Sequence, residues 1–548
     1  MSKFGFSCGC RFNAIDKDHI DFKPNVESLR LDCDKAWDLI CEGNTKGCFQ
    51  LESRLGQSLA KKTKPRTIEE LSALVSIMRP GCMEAMVENK SLTNHYIDRK
   101  HGREAVDYFH PSLEEILSET YGILVYQEQS MQIARKIAGF DLQEADVLRK
   151  AIGKKKVSEM AKVKRMFLSG AKSQGLVTDE QAEEIFGWIE KSQRYSFNKS
   201  HAVSYAMNAY LSAYAKAHFD KQFFTSYLFY SKEKAAPHEE ISELIGNAKL
   251  MNIDVMPPDI RKCNKNFMLD EDNIYFGLSD IKNVGEKVIE KIQQSIAEVS
   301  SDLDKEINKW TWLEFLAFFS KKVNSSAMKS MISVGAISFI NSNRTKMLYE
   351  YECISKLTAK ELTWLKNYLT HKESCEGLEL VEVLSMMSAS PIGRSGAIAS
   401  KRRLSPFLEI VKSLQNPPFK LQDFPEWVAS KEESLLGISL TCTKVDGCDT
   451  SSSNCCCRDI VNKNIPDYPL VAIQVNSVRE ITIKNGANRG NRMAFVEVSD
   501  SSASLDCVIF SDSWHKFSGL LSEGNTVMIG GKKNRDEDGL VIEKVWQI

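Results

Sequence analysis

The feature that most constrains this chain is a change of hydrophobic period along its length. From Leu31 to about residue 230, apolar side chains recur at helical spacing, interrupted at Arg79-Pro80-Gly81 and His110-Pro111. Toward the C-terminus the period shortens to two. Val471, Ile473 and Val475 alternate with other residues, as do Leu505, Cys507 and Ile509, and Val527 and Ile529. Glycines at 486, 490, 524, 530 and 531 are expected to supply the turns between these strands. One core cannot satisfy both periods. The fold class expected is therefore multidomain and mainly α, closing with an all-β barrel, and 548 residues exceed what a single core sustains.

Between these regions, residues 231–300 are mixed, with one short amphipathic helix expected after Val284-Gly285. Helices rich in Leu, Met and Trp resume over about 301–380, and the Ser-, Ala-, Gly- and Arg-bearing stretch 385–405 reads as a flexible linker. The first 30 residues show no clear period and read as a ragged edge.

Composition narrows the class. With 43% hydrophobic and 26% charged residues, no apolar run near the roughly 18 residues of a membrane span and no signal-like N-terminus, a cytoplasmic protein is expected. Fifteen cysteines, an odd number on a long chain, fit reduced thiols. The densest group, Cys442, Cys448 and Cys455-Cys456-Cys457, lacks the paired spacing of a tetrahedral zinc site, so no metal is expected there. A net charge of −1 leaves nucleic acid open as a partner, because the distribution of charge matters more than its sum.

That distribution is uneven. Arg149 to Arg165, RKAIGKKKVSEMAKVKR, holds eight basic residues and one acid, Glu159. On a helix, Ala145, Leu148 and Ile152 form an apolar stripe, with Lys150 and Lys154 four apart on the opposite face and Arg149 on the flank. Like charges at that spacing repel unless an anion sits against them. The surface is thus either a solvated face or a phosphate site, where Arg grips oxygens in a fork and Lys acts as a point charge. A second patch, Lys191 to His201, interleaves cations with Tyr195 and Phe197, which could stack on bases or belong to a core.

Taken together, GCFQLES (47–53), ALVSIMRPG (73–81), YIDRKHGRE (96–104), TYGILVYQEQSMQIA (120–134), ADVLRKAIGKKK (145–156), EMAKVKRMF (159–167) and FNKSHAVSYA (197–206) resemble, in order, the fingers of C-family bacterial replicative DNA polymerases. The resemblance is strongest over residues 31–300, poor over 300–430, and returns at the C-terminus. It implies that Arg149 and Lys150, with Lys154, meet the triphosphate of an incoming dNTP, Lys150 standing where Arg is usual. It implies that Asn198, Lys199, Ser200 and His201 lie near the nascent base pair, and that Lys155 and Lys156 touch DNA. Arg79 and Arg99 sit in matching motifs, with contact or scaffolding both open.

The resemblance also implies what to seek upstream. The family holds two Mg2+ ions on an Asp-x-Asp pair and a third Asp in a strand before the fingers. Ser2-Lys3-Phe4-Gly5-Phe6 looks like that strand, with Gly5 at the aspartate position. Asp16, Asp18 and Asp21 stand near the start, but Asp16-x-Asp18 lies in a polar stretch without strand pattern, which argues against a catalytic role. No catalytic residue is therefore expected in this chain, and Mg2+ would be held by carboxylates on a partner chain bearing the palm.

Downstream, IYFGLSDIKNVGEKVIEKI (274–292) resembles a helix-hairpin-helix, with Ile281, Val288, Ile289 and Ile292 as apolar face and Asn283-Val284-Gly285 as turn. Asn283, Gly285 and Lys287 are the expected DNA contacts there. Lys420 to Phe424, behind Pro417-Pro418, is a candidate sliding-clamp peptide anchored by Leu421 and Phe424. The end of the chain resembles an oligonucleotide-binding (OB) barrel, with Arg489, Arg492, Lys532, Lys533 and Arg535 as loop cations and Phe495 and Trp514 either as stacking groups or as core. The organisation expected is a palm-edge remnant (1–30), fingers (31–230), a hairpin DNA- and clamp-binding region (231–345), a helical connector and linker (346–435) and an OB domain (436–548). The implied function is the C-terminal portion of a replicative DNA polymerase acting on primer–template and single-stranded DNA with a palm-bearing partner; the alternative is a non-catalytic DNA-binding accessory.

Overall fold

The computed structural model describes residues 3–5, 11–14, 20–21, 30–154, 157–192, 196–372, 374–388, 401–462, 465–483, 488–534 and 539–548. The chain forms two compact units, Met1–Phe223 and Phe224–Ile548.

The first unit opens with β1 (Lys3–Gly5), β2 (Arg11–Ala14) and β3 (Ile20–Asp21), joined antiparallel in that order. The ragged edge expected from sequence is thus partly a small sheet. Strands of two to four residues are too short to display a period. Gly5 pairs with Arg11 and Asp21 with Asn13, while Asp16 and Asp18 lie outside the described residues. β4 (Met86–Val87) and β5 (Lys90–Ser91) form a short hairpin.

Helices build the rest of this unit. The Lys199–His218 helix buries Ala202, Ala206, Ala209 and Ala213 on one face. Such small side chains let it lie close against the Ile68–Ile77 helix, whose Ser72 and Ser76 hydroxyls are satisfied by carbonyls one turn back, Ile68 O and Ser72 O. The Tyr210 ring packs against Trp37, tilted at 45° with centroids 4.7 Å apart, and its hydroxyl donates to Arg30 O. Lys216 is buried and donates to Asn44 O and Lys46 O; burial lowers its pKa to about 8. A second cluster gathers Leu117, Ile133, Leu148, Phe167 and Phe186.

In the second unit β6 (Val255–Met256) runs parallel to β8 (Asn273–Tyr275), which pairs antiparallel with β7 (Met268–Asp270). The helix expected to be short after Val284-Gly285 runs for 18 residues, Glu286–Leu303. One continuous core extends from Phe224 to Leu440 and includes Ile281, Val284, Ile292, Phe315, Met331, Leu365 and Val383, so the connector helices pack into the same core as the hairpin region. Of the linker at 385–405, residues 389–400 lie outside the described residues; at its far end the backbone is already helical, in Lys401–Gln415.

The barrel closes in the order β10 (Arg492–Ser499), β11 (Ser504–Ile509), β13 (Leu540–Gln547), β12 (Thr526–Lys533), β9 (Leu470–Thr482). Val471, Ile473, Val475, Leu505, Cys507, Ile509, Val527 and Ile529 all point into its core, as their alternation required. Gly490 and Gly524 take the left-handed conformation, with φ of 89° and 84°. Gly530 and Gly531 are not turn residues: they lie inside β12 at a register shift against β13. A Cβ on Gly531 would stand 2.0 Å from Val541 O, so only glycine permits that approach. Gly486 lies outside the described residues.

Candidate nucleotide and nucleic-acid interface

The Leu142–Lys154 helix starts on a reciprocal cap, Asp141 Oδ1 accepting from Glu144 N and Glu144 Oε2 from Asp141 N. It buries Ala145, Leu148 and Ala151. Ile152 and Lys154 fall among side chains outside the described set, and Lys155 and Lys156 lie outside the described residues. On the other face Arg149 and Lys150 are held by one carboxylate. Asp146 Oδ1 accepts from Arg149 Nε and Nη2 at 2.9 and 2.8 Å, and Oδ2 meets Lys150 Nζ at 2.7 Å. These bonds, Lys150 first, hold the Asp146 carboxyl below its ordinary range. The anion demanded by the crowded cations is thus internal. Sequence reading missed it by counting acids only from Arg149 onward; the i,i+3 and i,i+4 spacing to Asp146 was the available signal. Arg149 and Lys150 remain 36% and 57% exposed.

The 197–201 loop is built differently. Phe197 is tied to an extended segment of the chain: its N–H donates to Val125 O and its carbonyl accepts from Gln127 N. Asn198 caps the Lys199–His218 helix, Oδ1 accepting from His201 N, and its Nδ2 donates to Glu128 Oε1 at 2.7 Å. Glu128 Oε2 also accepts from Lys199 N, and Lys199 Nζ pairs with Glu119 at 2.6 Å. Asn198 and Lys199 therefore face carboxylates of the same unit, whereas Ser200 and His201 are exposed. The His201 ring lies between Phe197 and Tyr205, with centroids at 5.2 and 4.1 Å. The Arg79 guanidinium covers the Phe197 ring at 3.8 Å. Glu119 and Glu128 escaped sequence reasoning because their partners lie some 70 to 80 residues away. Tyr195 is outside the described residues.

Arg99 is held inside the unit. Its Nε donates to Glu104 at 2.7 Å and its Nη1 to Tyr121 O at 3.2 Å. Glu104 also accepts from Lys90 and faces His95 Nδ1. Burial acts to raise the Glu104 pKa, but bonds from Lys90, Arg99 and His95 outweigh it and bring the value to about 2. Gly122, at φ 76°, lets the Tyr121–Gly122 turn pass Asp107 O, which a Cβ would approach at 2.7 Å.

In the second unit, Asn283 adopts a φ of 74° and donates to Ser330 Oγ at 3.1 Å. Gly285 starts the Glu286–Leu303 helix with open space around it, and Lys287 is exposed beside it. Leu421 O accepts from Asn343 Nδ2, and Asp423 caps the Arg344–Ser355 helix through Arg344 N and Thr345 N, leaving Phe424 exposed. On the barrel, Arg489 is exposed, Arg492 pairs with Glu480, Lys532 pairs with Glu543, and Lys533 is half-buried. Phe495 is partly exposed under the Arg479 guanidinium at 5.2 Å. Trp514 is not a stacking group: it is buried in the barrel core, where the Ser511–Phe517 helix packs over strands β10 and β13, and its Nε1 donates to Glu480. Arg535 is outside the described residues.

Among the described residues no group of three or more His, Cys, Asp or Glu could hold a metal ion; they do not fit a two-cation centre. No helix among them is long and apolar enough to cross a membrane.

Comparison with known proteins gives three family matches. The bacterial DNA polymerase III alpha subunit finger domain matches residues 12–175, a helix-hairpin-helix motif matches 252–347, and an OB-fold nucleic acid binding domain matches 471–546. The chain is 31% identical to DNA polymerase III subunit alpha of Aquifex aeolicus, over 93% of this chain and 38% of that protein. It is also 31% identical to the subunits of Borreliella burgdorferi (98% and 43%) and Thermus aquaticus (97% and 40%). The chain thus spans about two fifths of the length of these relatives.

Proposed function

Because this chain belongs to the bacterial DNA polymerase III alpha subunit family and corresponds to a C-terminal part of it, we propose that it binds the incoming dNTP and primer–template DNA within a replicative DNA polymerase. In this reading the palm carboxylates, and the Mg2+ they hold, come from a partner chain. The observation that carries the proposal is the exposed Arg149–Lys150 pair, displayed opposite a buried apolar stripe and balanced by the single carboxylate of Asp146. A triphosphate brings more negative charge than Asp146, so it can take over both cations. His201 and Ser200, exposed at the start of the Lys199–His218 helix, are assigned to the nascent pair, with Asn198 and Lys199 fixing their backbone. The hairpin around Asn283-Gly285 with Lys287 and the barrel cations are assigned to DNA phosphates. The Leu421–Phe424 segment, with Phe424 exposed, is assigned to a sliding clamp.

The test is steady-state dNTP kinetics on the chain joined with a palm-bearing partner, alongside DNA binding by the same variants. Arg149→Ala and Lys150→Ala should depress nucleotide utilisation and leave DNA affinity nearly unchanged. If both weaken DNA binding and spare nucleotide kinetics, they belong to a DNA-backbone patch and the accessory reading stands. Primer extension by the purified chain alone would overturn the requirement for a partner.

A further inference from the structure

Residues 356–372, KLTAKELTWLKNYLTHK, lie in the connector region, where the family resemblance is poor. They hold Lys356, Lys360, Lys366, Lys372 and His371 against a single acid, Glu361. That acid is turned inward. Its side chain is 1% exposed, bonded to Arg403 at 2.8 Å and to Thr358 N at 2.7 Å. The outward surface of the Ala359–Thr370 helix therefore presents cations with no acid of its own. Trp364 and Tyr368, one turn apart, lie nearly parallel at 10° with centroids 5.3 Å apart, and Lys372 Nζ stands 5.6 Å from the Tyr368 centroid. A cavity of about 750 Å³ opens here, lined by Trp364, Asn367, Tyr368, His371, Lys372 and Ser374. His371 Nδ1 donates to Asn367 O at 2.7 Å, so in the neutral ring Nε2 is the acceptor. Burial first, then nearby Lys322, lowers the Lys366 pKa, and Asp302 opposes them.

We propose that this aromatic and basic face is a single-stranded DNA site, in which bases stack against Trp364 and Tyr368 and the backbone runs past Lys372. Parallel rings offer the flat faces on which bases stack, and Asn367, His371 and Ser374 offer hydrogen-bonding groups of the kind base edges pair with. A duplex keeps its bases stacked internally and cannot use the rings. An acidic peptide would satisfy the lysines but not the paired rings. The same compact unit also bears the helix-hairpin-helix and OB matches.

The experiment uses the full chain with a labelled oligo(dT) of about 20 nucleotides and a duplex of equal length. Trp364→Ala and Tyr368→Ala should each weaken single-strand binding about fivefold to a hundredfold, with duplex binding changed less than about twofold. Trp364→Phe should retain most affinity, and Lys372→Gln should reduce the slope of log affinity against log salt by about 0.7. Independently of any variant's folding, 5-iododeoxyuridine placed in the oligonucleotide should photocross-link to Trp364 or Tyr368 in the unaltered chain. Cross-links confined to the barrel, or Trp364→Ala binding oligo(dT) normally, would overturn the proposal. So would a glutamate-rich peptide that binds in a Trp364-dependent way while oligo(dT) binding stays indifferent to it.

Discussion

Two carboxylates in the first unit each gather several cations, and they do opposite things. Glu104 binds Lys90, Arg99 and His95, side chains that are 30%, 16% and 7% exposed. Asp146 binds Arg149 and Lys150, which are 36% and 57% exposed on a helix face. Composition alone makes the clusters look alike. The difference is that the Glu104 cations are also fixed elsewhere, Arg99 to Tyr121 O and Lys90 to Asp98, whereas the Asp146 pair is held by one local, screened contact. A cation bonded at several points inside the fold is costly to redirect. A cation held only by an exchangeable counterion can be transferred to a ligand.

The largest effect should come from removing the Glu104 hub, whose side chain is 25% exposed. Glu104→Ala leaves Arg99 and His95 without their acceptor and should cost about 2–4 kcal/mol, seen as a drop in Tm of roughly 5–10 °C. A melt unchanged within about 1 °C would erase the distinction between the clusters. The exposed pair should behave in the reverse way. Arg149→Ala or Lys150→Ala should leave Tm nearly untouched yet lower dNTP utilisation by the partnered enzyme about tenfold to a hundredfold, the worth of a charge-assisted contact of about 1.5–3 kcal/mol. Lys150→Arg should be tolerated, since it keeps the charge and adds the fork.

A smaller effect follows from protonating Glu104 rather than deleting it. Its folded pKa, about 2, lies below the ordinary value of 4.5. The unfolded chain therefore binds the proton more readily, and the stability contributed by the charge is fully present above about pH 4.5 and lost as pH falls toward 2. Acid titration of Tm should show this slope in the native protein and a flatter one in Glu104→Gln. Equal slopes would place the acid sensitivity elsewhere.

This contrast also marks how far sequence reasoning reached. The barrel was legible because alternation at Val471, Ile473 and Val475 is a local signal with one structural meaning. The stripe through Ala145 and Leu148 was legible for the same reason. What escaped was long-range satisfaction. The sequence leaves Arg99 open between ligand contact and scaffold, because its partners Glu104 and Tyr121 O meet it only in space. Trp514 reads from sequence equally as base platform or core, and Glu480 and the helix packed over the barrel take it inward. Gly530 and Gly531 were assigned to a turn, since composition cannot tell a turn glycine from one admitting a neighbouring strand.

The smallest effect, and the sharpest test of the exchange idea, belongs to Asp146. Its carboxylate is both the support of Arg149 and Lys150 and the competitor of any phosphate that would use them. Asp146→Asn keeps the shape and removes the charge. The helix loses two local, solvent-screened ion pairs, so Tm should fall by no more than a few degrees. If Asp146 mainly competes, the released cations meet the triphosphate without first leaving a partner, and KM for dNTP should fall about twofold to fivefold with kcat little changed. If Asp146 mainly positions, the two side chains regain rotamer freedom and KM should rise instead. The charged and uncharged variants should also converge at high salt, where screening weakens the native pair. Steady-state kinetics at two ionic strengths reads both. A rise in KM at low salt would sink the exchange account and make Asp146 a positioning residue, closer in kind to Glu104 than its exposure suggests.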